Sequence, residues 1–187
     1  MVKLLEYYPG TVLPAGDVEE CSFKPFADMI KVTGGLSLGQ ICTVTGLEAS
    51  TVQNWIKRGF VPKPQNKMYG ERQLARILLI SALRKGLQID RIGALLEYIN
   101  GDTEDEGDDI ISEPELYSKF CAAVCDSDTL PIDSLRVRWS KPHLSGSSEV
   151  ERRLYYALHI METAYLSGIL IDECDGQFEK HINKGEK

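Results

Sequence analysis

Apolar residues recur every three to four positions in several short stretches of the chain, a pattern typical of short amphipathic helices. One predicted helix begins after Ser37, a residue type that caps helices, and ends at Gly46. A second helix is predicted over about residues 48–57, with Val52 and Trp55 facing inward. Its outward-facing residues are polar, namely Ser50, Thr51, Gln53, Asn54 and Lys57. Two short helices joined by a tight turn are typical of a helix-turn-helix unit.

A basic loop with two prolines follows the second helix. Residues 58–69 begin with a glycine-containing turn, and the prolines prevent any helical continuation, so this stretch is predicted to form a small wing. Two further helices are predicted over about residues 71–85 and 89–99, each followed by a glycine. Residues 36–101 are therefore predicted to form one module of four short helices and a wing. Residues 1–35 are predicted to be an N-terminal extension of that module.

Apolar spacing predicts two more helices in the C-terminal half of the chain. They are Pro114–Cys125 and a longer helix over about residues 148–170, with a loop at 126–147 and a fraying tail from Asp172. The fold class is therefore mainly α, with an all-α region of residues 102–187 after the winged module. The apolar stripe of the long helix requires a partner. Either one of the C-terminal helices pairs with the same helix of a second copy in a dimer, or both helices fold back onto the module of their own chain.

Charge is distributed unevenly along the chain. The formal net charge of -7 argues by itself against a protein that coats DNA uniformly. Residues 1–30 carry -3, residues 31–101 carry +6 and residues 102–187 carry -10. Asp102–Glu115 holds eight acids and no base, a composition typical of a solvated linker. The basic charge thus coincides with the predicted helix-turn-helix module.

Secretion and membrane insertion are not expected. The N-terminal residues lack the apolar run of a signal peptide. The longest strictly aliphatic run, Ile77–Ile80, is far shorter than the roughly 20 residues that span a bilayer. Five scattered cysteines, an odd number, do not indicate a disulfide framework. We therefore expect a cytoplasmic chain with reduced thiols and no membrane partner.

Three stretches of the predicted module resemble the MerR-type regulators, which are winged helix-turn-helix proteins. They are Thr51–Pro62, Tyr69 and Gly86–Leu96. The sequence QNWIKRGFVPKP, together with the later segments ARI and YING, is similar to a bacterial MerR-related domain family of unknown function. The similarity covers about residues 36–120. The resemblance implies a MerR-like winged helix-turn-helix fold, double-stranded DNA as the partner, and a homodimer.

The chain departs from the MerR pattern where that group meets DNA. The usual Arg-Tyr of the second helix is replaced by Gln53-Asn54, and the usual wing arginine aligns with Lys67. Gln and Asn can bond bidentately to adenine, whereas a lysine holds phosphate without reading sequence. The candidate DNA-contacting residues are Ser50, Thr51, Gln53, Asn54, Lys57, Arg58, Lys63, Lys67, Tyr69 and Arg72.

Structural roles compete with DNA contact at several of these positions. Trp55 is interpreted as a core residue that fixes the two helices. Tyr69 either packs at the root of the wing or touches phosphate. Arg72 and Arg76, one helical turn apart, are either phosphate clamps or part of a solvated helix face.

Two metal hypotheses are weighed against simpler interpretations. Residues 102–113 have the spacing of an EF-hand calcium loop, but its third and fifth positions are Glu, so a plain acidic linker is the alternative. Cys121 and Cys125, spaced i and i+4, form either a thiolate pair for metal or two buried small apolar residues. Neither spacing matches a specific site, so no metal and no cofactor are predicted.

No Walker loop, GxGxxG or Ser-His-Asp candidate is present in the sequence, so an enzyme is not predicted. The first hypothesis is a dimeric, sequence-specific DNA-binding transcription regulator with the helix at about 48–57 in the major groove. The second is a protein-interaction module on the same fold that has lost operator binding. A third, a small-molecule sensor, requires an effector cavity within residues 114–171.

Overall fold

The computed structural model describes residues 7–15, 21–103, 107, 109–125 and 147–183, with residues 182 and 183 described as backbone only. Within these ranges the protein is helical, with isolated bridges and no β-strand, which confirms the predicted mainly α class. The helices are α1 Lys24–Thr33, α2 Leu38–Thr45, α3 Ala49–Lys57, α4 Glu71–Leu83, α5 Ile89–Asn100, α6 Glu113–Cys125 and α7 Glu149–Phe178. A π-helical turn, Glu179–Asn183, continues α7.

Local sequence signals determine where α2 and α3 begin and end. The hydroxyl of Ser37 accepts from the Gln40 amide at 3.3 Å, and the Gln40 side chain accepts from the Ser37 amide at 2.8 Å. This reciprocal pair is a capping box, which satisfies two amides that a helix start leaves without partners. Gly46 ends α2 with a φ of 70°, a backbone conformation that favours glycine. The predicted helix, turn, helix order of this stretch is confirmed.

Helix α4 lies at the centre of the molecule. Nearly every residue from Leu74 to Leu83 is buried, so α4 is apolar around its whole circumference and contacts α1, α2, α5, α6 and α7. A helix that is hydrophobic on all sides must be surrounded by other elements. One continuous apolar cluster runs from Cys21 to Ala164, so all three predicted units contribute to the same core.

The N-terminal residues are more than an extension. Phe26 of α1 is 2% exposed and packs into this core. Before α1, residues 7–15 lie across the molecule, where the Pro9 carbonyl accepts from the Tyr117 hydroxyl at 2.8 Å. The Val12 amide donates to the Val44 carbonyl at 3.1 Å, beside the helix-turn-helix turn. The sequence pattern did not predict α1 or these contacts.

Both C-terminal helices fold back onto the module of their own chain. α6 packs against α4, and α7 packs against α4, α5 and α6. Gly86 permits the close approach of α7, because a Cβ atom there would lie 2.0 Å from the Ala164 carbonyl oxygen. The expected fraying from Asp172 is wrong, since α7 continues to Phe178. The predicted loop of residues 126–147 falls outside the described residues except at its last position.

Within the described residues, the helix Glu149–His181 is the one long and apolar enough, by length and composition, to cross a membrane. Buried core helices meet the same criteria. In this structure α7 lies against three other helices of the chain.

Candidate nucleic-acid interface

Helix α3 separates its residues into a buried face and a polar surface. Val52 is fully buried and Trp55 is 4% exposed, which confirms Trp55 as a core residue. On the opposite side Ser50, Gln53, Asn54 and Lys57 are exposed, and Thr51 is half-buried at the edge. We call these five residues the α3 surface. Its side chains are amide, hydroxyl and ammonium groups, the types that reach base edges and phosphates.

The basic loop, residues 58–69, follows α3 directly and is anchored at both ends. Val61 is fully buried near its start, and an antiparallel bridge joins Leu36 to Tyr69 at its end. Asn66 and Lys67 adopt φ values of 49° and 64°, forming the tight turn at the loop tip. The loop therefore has a defined path, although it contains bridges rather than the strands of a full wing.

The lysines of the α3 surface and the basic loop point outward. Lys57, Lys63 and Lys67 are exposed, and no described residue forms an ion pair with any of them. Arg58 is also exposed, and its guanidinium donates to Asp90 at 2.6 Å and stacks 4.6 Å from the centre of the Phe60 ring. Because that pair is solvent-exposed, it contributes little and Arg58 is free to exchange partners.

Tyr69 belongs to the core and not to the surface. Its residue is 3% exposed, and burial raises the pKa of its hydroxyl. Of the two roles weighed for Tyr69, packing at the root of the loop is the one in the structure. Its inclusion among the DNA contacts is corrected, because a ring enclosed by the core cannot reach a phosphate.

Arg76 is likewise buried, with 1% of its side chain exposed. Its Nε donates to the Phe60 carbonyl at 2.7 Å, one terminal nitrogen donates to Glu113 at 2.9 Å and the other to Thr103 at 3.0 Å. Burial lowers the pKa of Arg76, and the Glu113 carboxylate opposes that shift. Both interpretations from sequence, a phosphate clamp and a solvated helix face, are wrong for Arg76. It joins the basic loop to the start of α6.

Arg72 joins the same group of charges. Its Nε lies 3.3 Å from the second oxygen of Glu113, and a terminal nitrogen lies 3.5 Å from Asp109. Only 13% of the Arg72 side chain is exposed. We call Arg72, Arg76, Asp109 and Glu113 the arginine–carboxylate cluster. Arg72 forms ion pairs with Asp109 and Glu113 in this cluster. This finding corrects its assignment as a DNA contact.

This cluster also changes the interpretation of the acidic stretch. Glu113 occupies the twelfth position of the EF-hand-like spacing, where calcium requires a bidentate carboxylate. Both Glu113 oxygens are paired with arginines instead, one in a hydrogen bond with Arg76 and the other in an ion pair with Arg72, and 1% of the side chain is exposed. Among the described residues no group of three or more His, Cys, Asp or Glu side chains is arranged to hold a metal ion. Asp109 and Glu113 of this stretch therefore pair with the arginines, while residues 104–106 and 108 lie outside the described ranges.

Sequence reasoning missed the cluster because its two sides lie far apart in the chain. The available signal was the pair Arg72 and Arg76, one turn apart on a helix that is otherwise apolar on every side. Charged residues on such a helix are almost never buried unless they are paired. An acidic partner elsewhere in the chain was thus foreseeable, but its position was not.

Comparison with known proteins gives a family relationship over this region. No solved structure matches the chain. The uncharacterized protein YkrK of Bacillus subtilis (strain 168) is 31% identical over 96 residues, which cover 49% of this chain and 41% of that protein. The chain therefore spans less than half of that curated relative. The resemblance to a bacterial domain family of unknown function is confirmed: residues 36–120, which include the α3 surface, the basic loop and the arginine–carboxylate cluster, match the model of the domain of unknown function DUF1836.

Proposed function

We propose that this protein is a sequence-specific DNA-binding transcription regulator of MerR-like type. In this proposal α3 enters the major groove and the basic loop lies on the flanking phosphate backbone. The observation that carries it is the two-sided character of α3, which buries Val52 and Trp55 and exposes Gln53, Asn54 and Lys57. A short helix whose exposed polar side chains form no ion pair with any described residue, and which lies beside a lysine-bearing loop, fits a groove-binding element.

The roles within this surface follow from chemistry. Gln53 and Asn54 each carry an amide that can donate to and accept from adenine in the major groove. Lys63 and Lys67 present single charges that neutralise phosphates without reading bases. Arg72 and Arg76 add no net charge to this surface, because Asp109 and Glu113 neutralise them. The electrostatic attraction to DNA therefore comes from fewer residues than the +6 of residues 31–101 implies.

We further propose that two copies pair through α7. Half-exposed apolar side chains lie along this helix at Tyr156, Ile160, Leu170, Ile171 and Phe178. The apolar residues of α6 are instead buried against its own chain. A two-fold dimer would bury these half-exposed side chains of α7. It would present two α3 surfaces to half-sites about one turn of the DNA helix apart, roughly 34–36 Å.

Replacement of Ile160 by Glu is expected to convert this dimer into a monomer. The substitution places a charge on a residue that is 44% exposed in the single chain and becomes buried in the pair. Light scattering coupled to gel filtration measures the mass. The matched control is Val32→Glu, which adds the same charge at a residue of α1 that is 87% exposed. A wild-type chain of monomeric mass would contradict the α7 dimer.

Selection from randomised DNA with the full-length chain, at two salt concentrations, tests the DNA proposal. The expected result is an enriched, near-palindromic motif whose affinity falls steeply with salt. The second candidate function, a protein-interaction module on the same fold, is favoured by the neutralisation of Arg72 and Arg76. Weak binding without sequence preference would support that module and contradict the regulator.

Variants of the surface separate base reading from backbone contact. Gln53→Ala or Asn54→Ala is expected to cost about 1–3 kcal/mol of binding at particular base positions. Lys67→Ala should weaken binding to all sequences alike. It should also reduce the slope of log affinity against log salt concentration by about one. Affinities across a site library measure both effects.

The control for these variants is Lys119→Ala, which removes the same charge from the exposed face of α6. We expect it to leave base preference and salt dependence close to those of the wild type. If the Gln53 and Lys67 variants changed affinity identically across the library, the assignment of base reading to the α3 surface and of phosphate contact to the basic loop would be wrong.

A further inference from the structure

Two side chains of α4 hold the basic loop by its main-chain carbonyls. The Arg76 Nε donates to the Phe60 carbonyl at 2.7 Å, and three residues earlier the Gln73 amide nitrogen donates to the Lys63 carbonyl at 3.3 Å. The amide oxygen of the same Gln73 side chain accepts from the Gly70 amide at 3.0 Å. Gln73 therefore joins the middle of the basic loop to the residue that follows its end.

The sequence around Lys63 makes this part of the loop stiff. Pro62 and Pro64 flank the lysine, and a proline fixes its own φ and favours an extended backbone at the residue before it. Val61, at the start of this segment, is fully buried. With the segment extended and anchored at Val61, the place where its carbonyl is bonded determines where the exposed Lys63 side chain leaves the surface.

The turn that carries Lys67 is less well packed. The Met68 amide donates to the Gln65 carbonyl at 2.8 Å and closes the turn. A cavity of about 380 Å³ lies against it, with Gln65, Asn66 and Met68 on one side and Gln73 among the residues on the other. Because this cavity separates the turn from the start of α4, hydrogen bonds at the two ends of the turn determine where Lys67 lies.

We propose that Gln73 is a positioning residue for DNA binding, which holds the basic loop so that Lys63 and Lys67 meet the phosphate backbone without further ordering. This role rests on the proposed function, in which those lysines contact phosphate. A loop that is already held in its binding conformation loses less conformational entropy on association, so it binds more tightly without any additional contact. Gln73 acts through the lysines and reads no base.

The first experiment measures the loop without DNA. Gln73→Met keeps the length of the side chain and removes both of its hydrogen bonds. Amide hydrogen exchange of the full-length chain, followed by mass spectrometry on peptides that cover the basic loop, should become roughly 2- to 10-fold faster there, the factor expected when one neutral hydrogen bond is lost.

Two further variants separate the loop contact from the helix cap. Gln73→Glu keeps an oxygen that accepts from Gly70 and loses the donor to Lys63, so exchange in the loop should rise as it does in Gln73→Met. Glu151→Met removes the capping side chain of α7, which accepts from the Ser148 amide at 2.7 Å, and should leave exchange in the loop unchanged. Unchanged exchange in both Gln73 variants, or faster exchange in Gln73→Met alone, would overturn the proposal.

The second experiment measures DNA binding across the site library. Gln73→Met should weaken binding to all sequences alike, by roughly 2- to 10-fold, and leave the base preference unchanged. In a Lys63→Ala background the same substitution should weaken binding by a smaller factor, because part of its effect passes through that lysine. A loss of stability alone would not produce this coupling.

The two experiments distinguish failure of the positioning role from failure of the proposed function. Faster exchange with unchanged affinity, or full additivity of Gln73→Met with both Lys63→Ala and Lys67→Ala, would overturn the positioning role. A wild-type chain that binds no DNA would contradict the proposed function, and with it the phosphate contacts, while the exchange rates would still decide whether Gln73 holds the loop.

Discussion

Replacement of Glu113 by Ala is expected to lower the free energy of unfolding by about 3–5 kcal/mol. The carboxylate is 1% exposed, hydrogen-bonds to Arg76 at 2.9 Å and lies in an ion pair 3.3 Å from Arg72. Its removal leaves the buried guanidinium of Arg76 hydrogen-bonded, among the described residues, to the neutral Phe60 carbonyl and Thr103 hydroxyl. A buried charge that loses its counter-charge keeps its desolvation cost, so the loss exceeds that of a surface pair. Chemical denaturation followed by circular dichroism measures it.

The matched control lies two residues further along α6. Glu115 forms an exposed i,i+4 pair with Lys119 at 3.7 Å. Glu115→Ala should change stability by only about 0.3–0.5 kcal/mol, as is usual for such pairs. If Glu113→Ala lowered the free energy of unfolding by no more than this control does, water would screen the charges of the arginine–carboxylate cluster.

A double variant tests whether pairing or burial dominates. Arg76→Met combined with Glu113→Leu removes both charges and keeps apolar volume in the core. Since a buried ion pair often contributes little beyond its own desolvation cost, we expect the double variant to be much more stable than Glu113→Ala alone. Because Arg72 loses its Glu113 partner in the double variant, recovery to the full wild-type value is not expected.

Replacement of Phe26 by Ala is expected to cost about 3–5 kcal/mol of stability. Phe26 is 2% exposed, and its ring lies 5.4 Å from Tyr8, 5.6 Å from Phe23 and 6.0 Å from Tyr117. The ring thus joins the segment of residues 7–15, α1 and α6. Truncation leaves a cavity between three separate parts of the chain. Thermal or chemical denaturation measures the loss.

The control for Phe26 lies on the same helix. Val32 of α1 is 87% exposed, so Val32→Ala removes apolar atoms that the fold does not bury. Its effect should stay within about 0.5 kcal/mol. If the Phe26 and Val32 variants had equal stability, α1 would be a loosely attached extension, as the sequence pattern predicts.

Local signals explain which elements were predictable. Ser37 and Gly46 act on their own helix ends, through a hydrogen bond to the nearest turn and a positive φ. The same applies to Ser148, which caps the start of α7 and completes a capping box with Glu151. Interactions of this kind need no knowledge of the rest of the chain. Helix α1 carried similar signals, with Pro25 in its first turn and Gly34 at its end, but it was assigned to an extension.

The candidate interface was predictable in part for the same reason. On α3 the alternation of apolar and polar residues determines which side faces solvent, so Gln53, Asn54 and Lys57 were placed correctly as exposed residues. Tyr69 and Arg72 were not, because their surroundings come from other elements. Tyr69 pairs through its backbone with Leu36, and Arg72 meets Glu113 of α6.

The sequence by itself determined the helical class, the starts of the capped helices and the polar surface of α3, since these depend on residues within one or two turns. The tertiary structure alone decided which charges remain available. It brings Glu113 to Arg76 across 37 residues and Tyr117 to Pro9 across 108 residues. The physical reason is that burial and electrostatic pairing depend on distance in space, and the packing around α4 determines that distance.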